Sequence, residues 1–215
     1  MGTEAESAER QALIGALLDA QRSGINRGTS GNASYRSGTG FVITPSALPY
    51  DSMDPTDLVA VNEEGIANGP HRPSSEWLFH QRIYQHRPEI HAVVHLHSPA
   101  ATALSTLRLD VPPFHYMVAV AGGMDIRCSD YATFGTEELA DAAILALADR
   151  TACLLANHGL IACGPSVRAA YDLAIEVESL AHHYLLARSV GQPTLLSTAQ
   201  MNEVLIKFGD YRPDK

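Results

Sequence analysis

Apolar positions recur along this chain with two different periods, and the alternation between them outlines its elements. In ERQALIGALLDAQRSG, Leu13, Leu17 and Leu18 return at helical spacing and Gly24 offers a C-terminal cap. The stretch NRGTSGNASYRSGTGFVITPSALPYDSM is rich in Gly, Ser, Thr and Asn and contains two short strand-like pieces, ASYR and FVIT. DLVAVN reads as a strand and EEGIANG as a turn. In SSEWLFHQRIYQHRPE, Trp77, Ile83 and Tyr84 alternate with polar residues at helical spacing behind two candidate caps, Ser74 and Ser75. AVVHLH is rich in strand formers and is followed by a small-residue helix, SPAATALSTL. YMVAVAGG reads as a further strand, and TEELADAAILALADR as a helix with acidic residues in its first turn. ACLLANHGLIACG is a strand, turn and strand broken at Asn157-His158-Gly159, and VRAAYDLAIEVESLAHHYLLAR is a long amphipathic helix. With no repeat and no low-complexity linker, the pattern predicts one α/β domain over residues 1–215.

Composition narrows the class. A hydrophobic content of 46% over 215 residues can build a full core. The formal net charge of -9 provides no basic field for nucleic acid or an anionic membrane surface. The apolar runs fall far short of the ~20 residues that span a bilayer. The opening MGTEAESAERQ is acidic and polar, unlike a secretory signal, and Glu6 stands where a myristoylation motif needs Ser or Thr. Cys128, Cys153 and Cys163 form no CxxC pair and sit in apolar surroundings, which fits a reducing compartment. The expectation is a soluble cytoplasmic protein.

The segment HAVVHLHSPA changes the picture, because it sets imidazoles into an otherwise apolar strand. Alternation puts His95 and His97 on one face, about 7 Å apart at their Cα atoms, a spacing that suits two ligands for one cation. His91 shares that face by parity but stands at the strand start, where an exposed role suits it better. LLANHGLI offers His158 in a strand break, and a sharp turn beside Gly159 pushes its side chain out of the sheet. A turn histidine bonded to backbone would look the same. Glu76 lies at a helix start, where N–H groups receive an anion, although an ordinary capped helix explains SSE equally well. Glu76 and His80, four apart, could add a metal pair or form a surface ion pair.

Seven blocks occur in a fixed order: GTSGNASYR, ITPSALPY, RPSSEWLFH, AVVHLHSPAATA, HYMVAVAGG, YATFGTEEL and LLANHGLIACG. In that order the chain resembles the class II aldolase/adducin family nearly end to end, and within it the L-fuculose-1-phosphate aldolases. The resemblance implies a three-layer α/β/α domain with a central, mainly antiparallel sheet. It implies one zinc ion per chain on His95, His97 and His158, with Glu76 as a fourth ligand that substrate displaces to become the base. It also implies that Asn32, Ser46, Ser74 and Ser75 hold a substrate phosphate, that Tyr116 is the general acid, and that the protein is a homotetramer with sites at subunit contacts. Phe134 and Tyr211 fall on the aldehyde side, Tyr211 within a C-terminal segment, KFGDYRPDK, that aligns loosely.

The reaction so implied is reversible cleavage of a ketose 1-phosphate into dihydroxyacetone phosphate and a short aldehyde. The ketose would be L-fuculose 1-phosphate or a 5-deoxy- or 5-methylthio-pentulose 1-phosphate. Zinc would act as the Lewis acid in place of a lysine Schiff base, which fits a chain whose only lysines are Lys207 and Lys215. A pentulose-phosphate 4-epimerase and a methylthioribulose-1-phosphate dehydratase share this scaffold, and HYMVAVAGG followed by YATFGT favours the aldolase. A non-catalytic adducin-like module would be expected to lose metal ligands, whereas all four candidates are present. One departure stands out. The family's TPTG reads TPSA here, and Ala47 can donate the same N–H unless the backbone needs a positive φ.

Overall fold

Period-two segments make one sheet, and the helical segments cover both of its faces. The computed structural model describes residues 4–210. In chain order the elements are α1 (Glu4–Arg22), β1 (Asn32–Ser37), β2 (Gly40–Ile43), β3 (Val59–Val61), β4 (Ala67–Asn68) and α2 (Trp77–His86). Then come β5 (Ala92–Leu96), α3 (Pro99–Thr106), α4 (Glu137–Ala146), β6 (Ala152–Leu155), β7 (Gly159–Gly164), α5 (Val167–Val190) and α6 (Thr198–Asp210). The strands form one sheet in the order β4-β3-β2-β1-β5-β7-β6, and every pairing between them is antiparallel.

Alternation along β5 separates two cores. Ala92, Val94 and Leu96 pack with residues of α1, α3 and α5, whereas Val93 packs with Phe79, Ile83, Leu139 and Ala143 of α2 and α4. The architecture is therefore the three-layer α/β/α arrangement expected, with β5 at its centre. Phe79 and Ile83 anchor α2 on the sheet, and each such buried side chain contributes about 1.5–3 kcal/mol. That anchoring also sets where the first turn of α2 lies. On the other face, Glu178 of α5 accepts the N–H groups of Ala100 and Ala101, both at 2.8 Å. A carboxylate there satisfies free donors at the start of α3 and complements its dipole. It also pins the chain just after His97.

Two local expectations are corrected. YMVAVAGG is no strand: Tyr116–Ala121 is a 3₁₀ helix, opened by His115 Nδ1 accepting the Met117 N–H and closed by Gly122 at φ 88°. Its valines and alanines mimic strand composition, but Val118, Ala119 and Ala121 are buried in the helical layer instead. Ser74 and Ser75 do not cap α2; the N-cap position is Glu76, and its side chain makes no capping bond. α6 was not anticipated at all. The cysteines are unpaired thiols, and burial pushes Cys163 up to about 12 and Cys128 up to about 11. Among the described residues no helix is long and apolar enough to cross a membrane.

Candidate metal centre and cleft

β5 ends at Leu96, so His95 is its penultimate residue and His97 the first beyond it. The His97 N–H donates to Asn26 Oδ1 (3.3 Å), which fixes the backbone where the strand stops. The β5–β7 register pairs Leu96 with Leu160 and so brings the Asn157-His158 turn against the end of β5. Gly159 permits this: a Cβ there would collide with the Leu96 carbonyl and crowd the His97 ring. The turn is closed by Asn157 at φ 57°, and the His158 N–H donates to Leu155 O and Ser105 Oγ. Glu76 arrives from the sheet's α2 side at the mouth of that helix.

Four side chains converge as a result. Ligand-capable atoms of Glu76, His95, His97 and His158 all lie within 4.8 Å of one another. The three imidazole rings are mutually close to perpendicular, with centroids 4.9, 4.8 and 4.7 Å apart. His95 is completely buried, with its Nδ1 2.8 Å from the Leu160 carbonyl. A carbonyl only accepts, so Nδ1 carries a proton and Nε2 is the ring atom that faces the cluster. There it meets His97 Nε2 at 3.0 Å and Glu76 Oε2 at 3.2 Å. His158 Nε2 stands 3.1 Å from Glu76 Oε1, yet that buried oxygen makes no hydrogen bond of acceptable geometry. Converging imidazole nitrogens, an orphaned carboxylate oxygen and a carbonyl behind one ligand are what a divalent cation requires. The residues fit a metal.

Charge follows the same geometry. Burial raises the Glu76 carboxyl, but the His95 charge and the contacts with His158 and His95 outweigh it and hold the group well below the usual carboxylate range. For His97, burial followed by the charges of His95 and His158 pulls the ring down to about 3, so it stays neutral and able to ligate.

The cluster opens into a cleft of ≈ 410 Å³. Ser46, Ser75, Thr29 and Ser30 supply hydroxyls to its lining; Tyr131 and Phe134 supply aromatic surface, and among the described residues no Lys or Arg takes part. Gly135 lets the Phe134 turn pass over this region, since a Cβ there would lie 2.8 Å from the Ser75 carbonyl. Ser74 is buried behind the wall, its Oγ accepting the Glu76 N–H at 3.3 Å. Asn32 is also buried and donates from Nδ2 to Glu76 Oε2 at 2.9 Å. Tyr116 is 51% exposed and stands outside the cleft lining of its own chain. Tyr211 lies outside the described residues. His91 is turned to Glu9 (3.5 Å) and is no part of the cluster.

Several residues escaped the sequence reading. Thr29, Ser30 and Tyr131 belong to blocks already singled out, GTSGN and YATFGT, but nothing in their type marks them as lining. His80 is neither ligand nor surface partner. It is fully buried, and its ring bonds to Ser34 and Asn32. Its position on the apolar stripe of α2, alongside Phe79 and Ile83, was the available signal.

The TPSA departure has a structural outcome. Ala47 sits at φ 59° in the cleft wall, so its backbone does adopt the left-handed conformation. A Cβ there costs about 1–2 kcal/mol, against about 0.4–1 kcal/mol of extra unfolded-state freedom for glycine. Ala47→Gly should therefore raise the unfolding free energy by about 0.5–1 kcal/mol, read from urea midpoints at constant m. A lower midpoint would show that the methyl makes contacts worth more than the strain.

The chain is similar to known proteins over most of its length. Residues 11–185 match the family described as Class II Aldolase and Adducin N-terminal domain. A 5-methylthioribulose-1-phosphate/5-deoxyribulose-1-phosphate aldolase of Rhodospirillum rubrum is 48% identical over 206 residues, 94% of this chain and 93% of that protein. An L-fuculose phosphate aldolase of Escherichia coli K12 is 44% identical over 200 residues, 93% of each chain. The solved structure of an L-fuculose 1-phosphate aldolase superposes with a TM-score of 0.92 at 37% identity, covering 97% of this chain and 98% of that one. The family match and these relatives show that the chain belongs to the class II aldolase/adducin family and is one of its aldolases.

Proposed function

We propose that this aldolase uses one zinc ion to cleave a ketose 1-phosphate reversibly into dihydroxyacetone phosphate and a short aldehyde. The observation that carries the reading is the Glu76/His95/His97/His158 cluster at a cleft lined, among the described residues, by hydroxyls and aromatic surface but by no Lys or Arg. A zinc ion held by the three histidines would supply Lewis-acid polarisation of the substrate carbonyl. Glu76 is the base. Burial alone raises its carboxyl, and the charge and contacts of the histidines keep it low. Once the carboxylate leaves the cluster, burial makes it a stronger base and Oε1 becomes able to take a proton from the donor carbon.

Ser46 and Ser75 hold the phosphate from the cleft wall, with Ser74 and Asn32 completing that wall behind them. Hydroxyl and amide donors at a helix start suit an anion without a lysine, so a chain with net charge -9 can still bind one locally. Tyr116, exposed and outside the lining of its own cleft, serves as general acid in the cleft of a neighbouring subunit of a homotetramer. Phe134 lines the aldehyde end, with Tyr211 as a second candidate. Unpaired thiols favour a cytoplasmic enzyme.

L-Fuculose 1-phosphate, 5-deoxyribulose 1-phosphate and 5-methylthioribulose 1-phosphate are the test panel, because the relatives named above act on ketose phosphates of these kinds. All three should release dihydroxyacetone phosphate in a coupled assay. Their kcat/KM values should spread over less than ~10⁴-fold, since an apolar wall gains only ~1–3 kcal/mol per methylene. An epimer or a dehydrated ketone as the product would replace the aldolase reading with one of the scaffold's other reactions.

A further inference from the structure

Behind the cluster, buried polar groups line up in single file through the α2 side of the sheet. Tyr84 Oη lies 2.7 Å from Ser34 Oγ, and Ser34 Oγ lies 2.6 Å from His80 Nδ1. His80 Nε2 lies 2.6 Å from Asn32 Oδ1, and Asn32 Nδ2 lies 2.9 Å from Glu76 Oε2. The sheet register explains the line. Asn32 pairs with His95 and Ser34 with Val93, so both point to the face on which α2 lies. One turn of α2 then separates Glu76 from His80.

Each proton in this file can be assigned. A carboxylate only accepts, so the Asn32 amide must turn its NH₂ to Glu76 and its carbonyl oxygen to His80. That carbonyl only accepts, so His80 must carry its proton on Nε2. Nδ1 is then an acceptor and takes the Ser34 hydroxyl proton, which leaves the Ser34 oxygen to accept from Tyr84. All four donors point the same way, toward Glu76. The ring remains in one neutral tautomer, because burial and then the His95 charge pull His80 down to about 3.

Glu76 needs such support. Its side chain makes no capping bond at the start of α2, and Oε1 has no hydrogen bond. Asn32 supplies its one hydrogen bond from a neutral group. A glutamate that must leave the cluster and still face the donor carbon has several rotamers open to it. We propose that His80 is a positioning residue for the reaction: it locks the Asn32 amide, and through it holds Glu76 by Oε2 in the orientation for proton transfer. This rests on Glu76 being the base, as read above.

His80→Leu removes the donor, whereas His80→Gln keeps an N–H where Nε2 lies. His80→Leu should slow exchange of the donor-carbon proton of dihydroxyacetone phosphate by ~10–100-fold, the usual cost of losing a supporting partner. KM and zinc content should change less than ~3-fold, since neither substrate nor cluster touches His80. His80→Gln should recover most of the rate. Ser34→Ala leaves His80 in place but frees its tautomer, and should show the same kcat-selective loss at ~3–10-fold. Selective ¹⁵N-histidine NMR of the unaltered protein should show His80 protonated at Nε2 and bare at Nδ1. A proton on Nδ1 overturns the proposal, as does wild-type exchange in Ser34→Ala, even if His80→Leu fails to fold. A rate loss that follows zinc content, or that Gln does not repair, overturns it too. Glu76→Gln run alongside separates the two ideas. If it retains exchange, the base assignment is wrong; if only it loses exchange, the His80 assignment is wrong.

Discussion

His95→Ala should yield a folded protein that loses most of its zinc and at least ~10³-fold in kcat/KM, the several kcal/mol a Lewis acid supplies. His95 is the residue to choose because its geometry is the most constrained. It is 0% exposed, its Nδ1 is tied to Leu160, and its Nε2 faces both His97 and Glu76. Alanine at this position removes a ligand that no mobile side chain can replace. His97→Ala and His158→Ala remove partly exposed rings, which water can replace more readily, and should retain more metal at equal zinc concentration. Metal analysis of the three purified variants, paired with steady-state rates, makes the comparison. Full metal content in all three would remove the cluster from the mechanism.

Glu76→Gln should be nearly as damaging for a different reason. The amide matches the carboxylate in shape and can still face Asn32, so fold and most of the zinc should remain. What is lost is the ability to take a proton, and a positioned base is worth ~10²–10⁴-fold. Aldol cleavage and exchange of the donor-carbon proton should fall together. Tyr116→Phe should instead slow only the steps that break or form the bond to the aldehyde, leaving exchange largely intact. That contrast needs both variants, since each alone lowers overall turnover. If both give the same partial profile, the division of labour between carboxylate and phenol is wrong.

What the chain disclosed in advance follows from the range of its signals. The H-x-H pair was legible because strand alternation is local: His95 and His97 had to share a face whatever surrounded them. His158 was legible from the turn at Asn157-Gly159 for the same reason. The sheet's order was not local, and neither was the meeting of these segments, which needed the resemblance to known blocks. His80 shows the limit most clearly. Its helical spacing from Glu76 suggested a pair, whereas β1 passing behind α2 turns its ring to Asn32 and Ser34 instead. YMVAVAGG failed on the converse ground, since strand-forming composition gave no warning that packing would curl it into a 3₁₀ turn. The condition attached to Ala47 was physical and explicit, and only the backbone itself, at φ 59°, could decide it.

The cluster is drawn from separate segments running from residue 76 to residue 158, and this shapes how the protein gains and loses its native state. In an unfolded chain only the His95–His97 neighbours stay close, a poor bidentate remnant, so a cation discriminates strongly in favour of the folded form. Its binding then adds to stability by mass action, about 2.7 kcal/mol at a hundredfold excess over Kd. No single unfolding free energy describes this chain until the free metal concentration is stated. The four donors meet only after β1, β5 and β7 have paired around α2, late in any folding route. A cation should therefore retard unfolding without hastening the strand pairing that limits the forward rate.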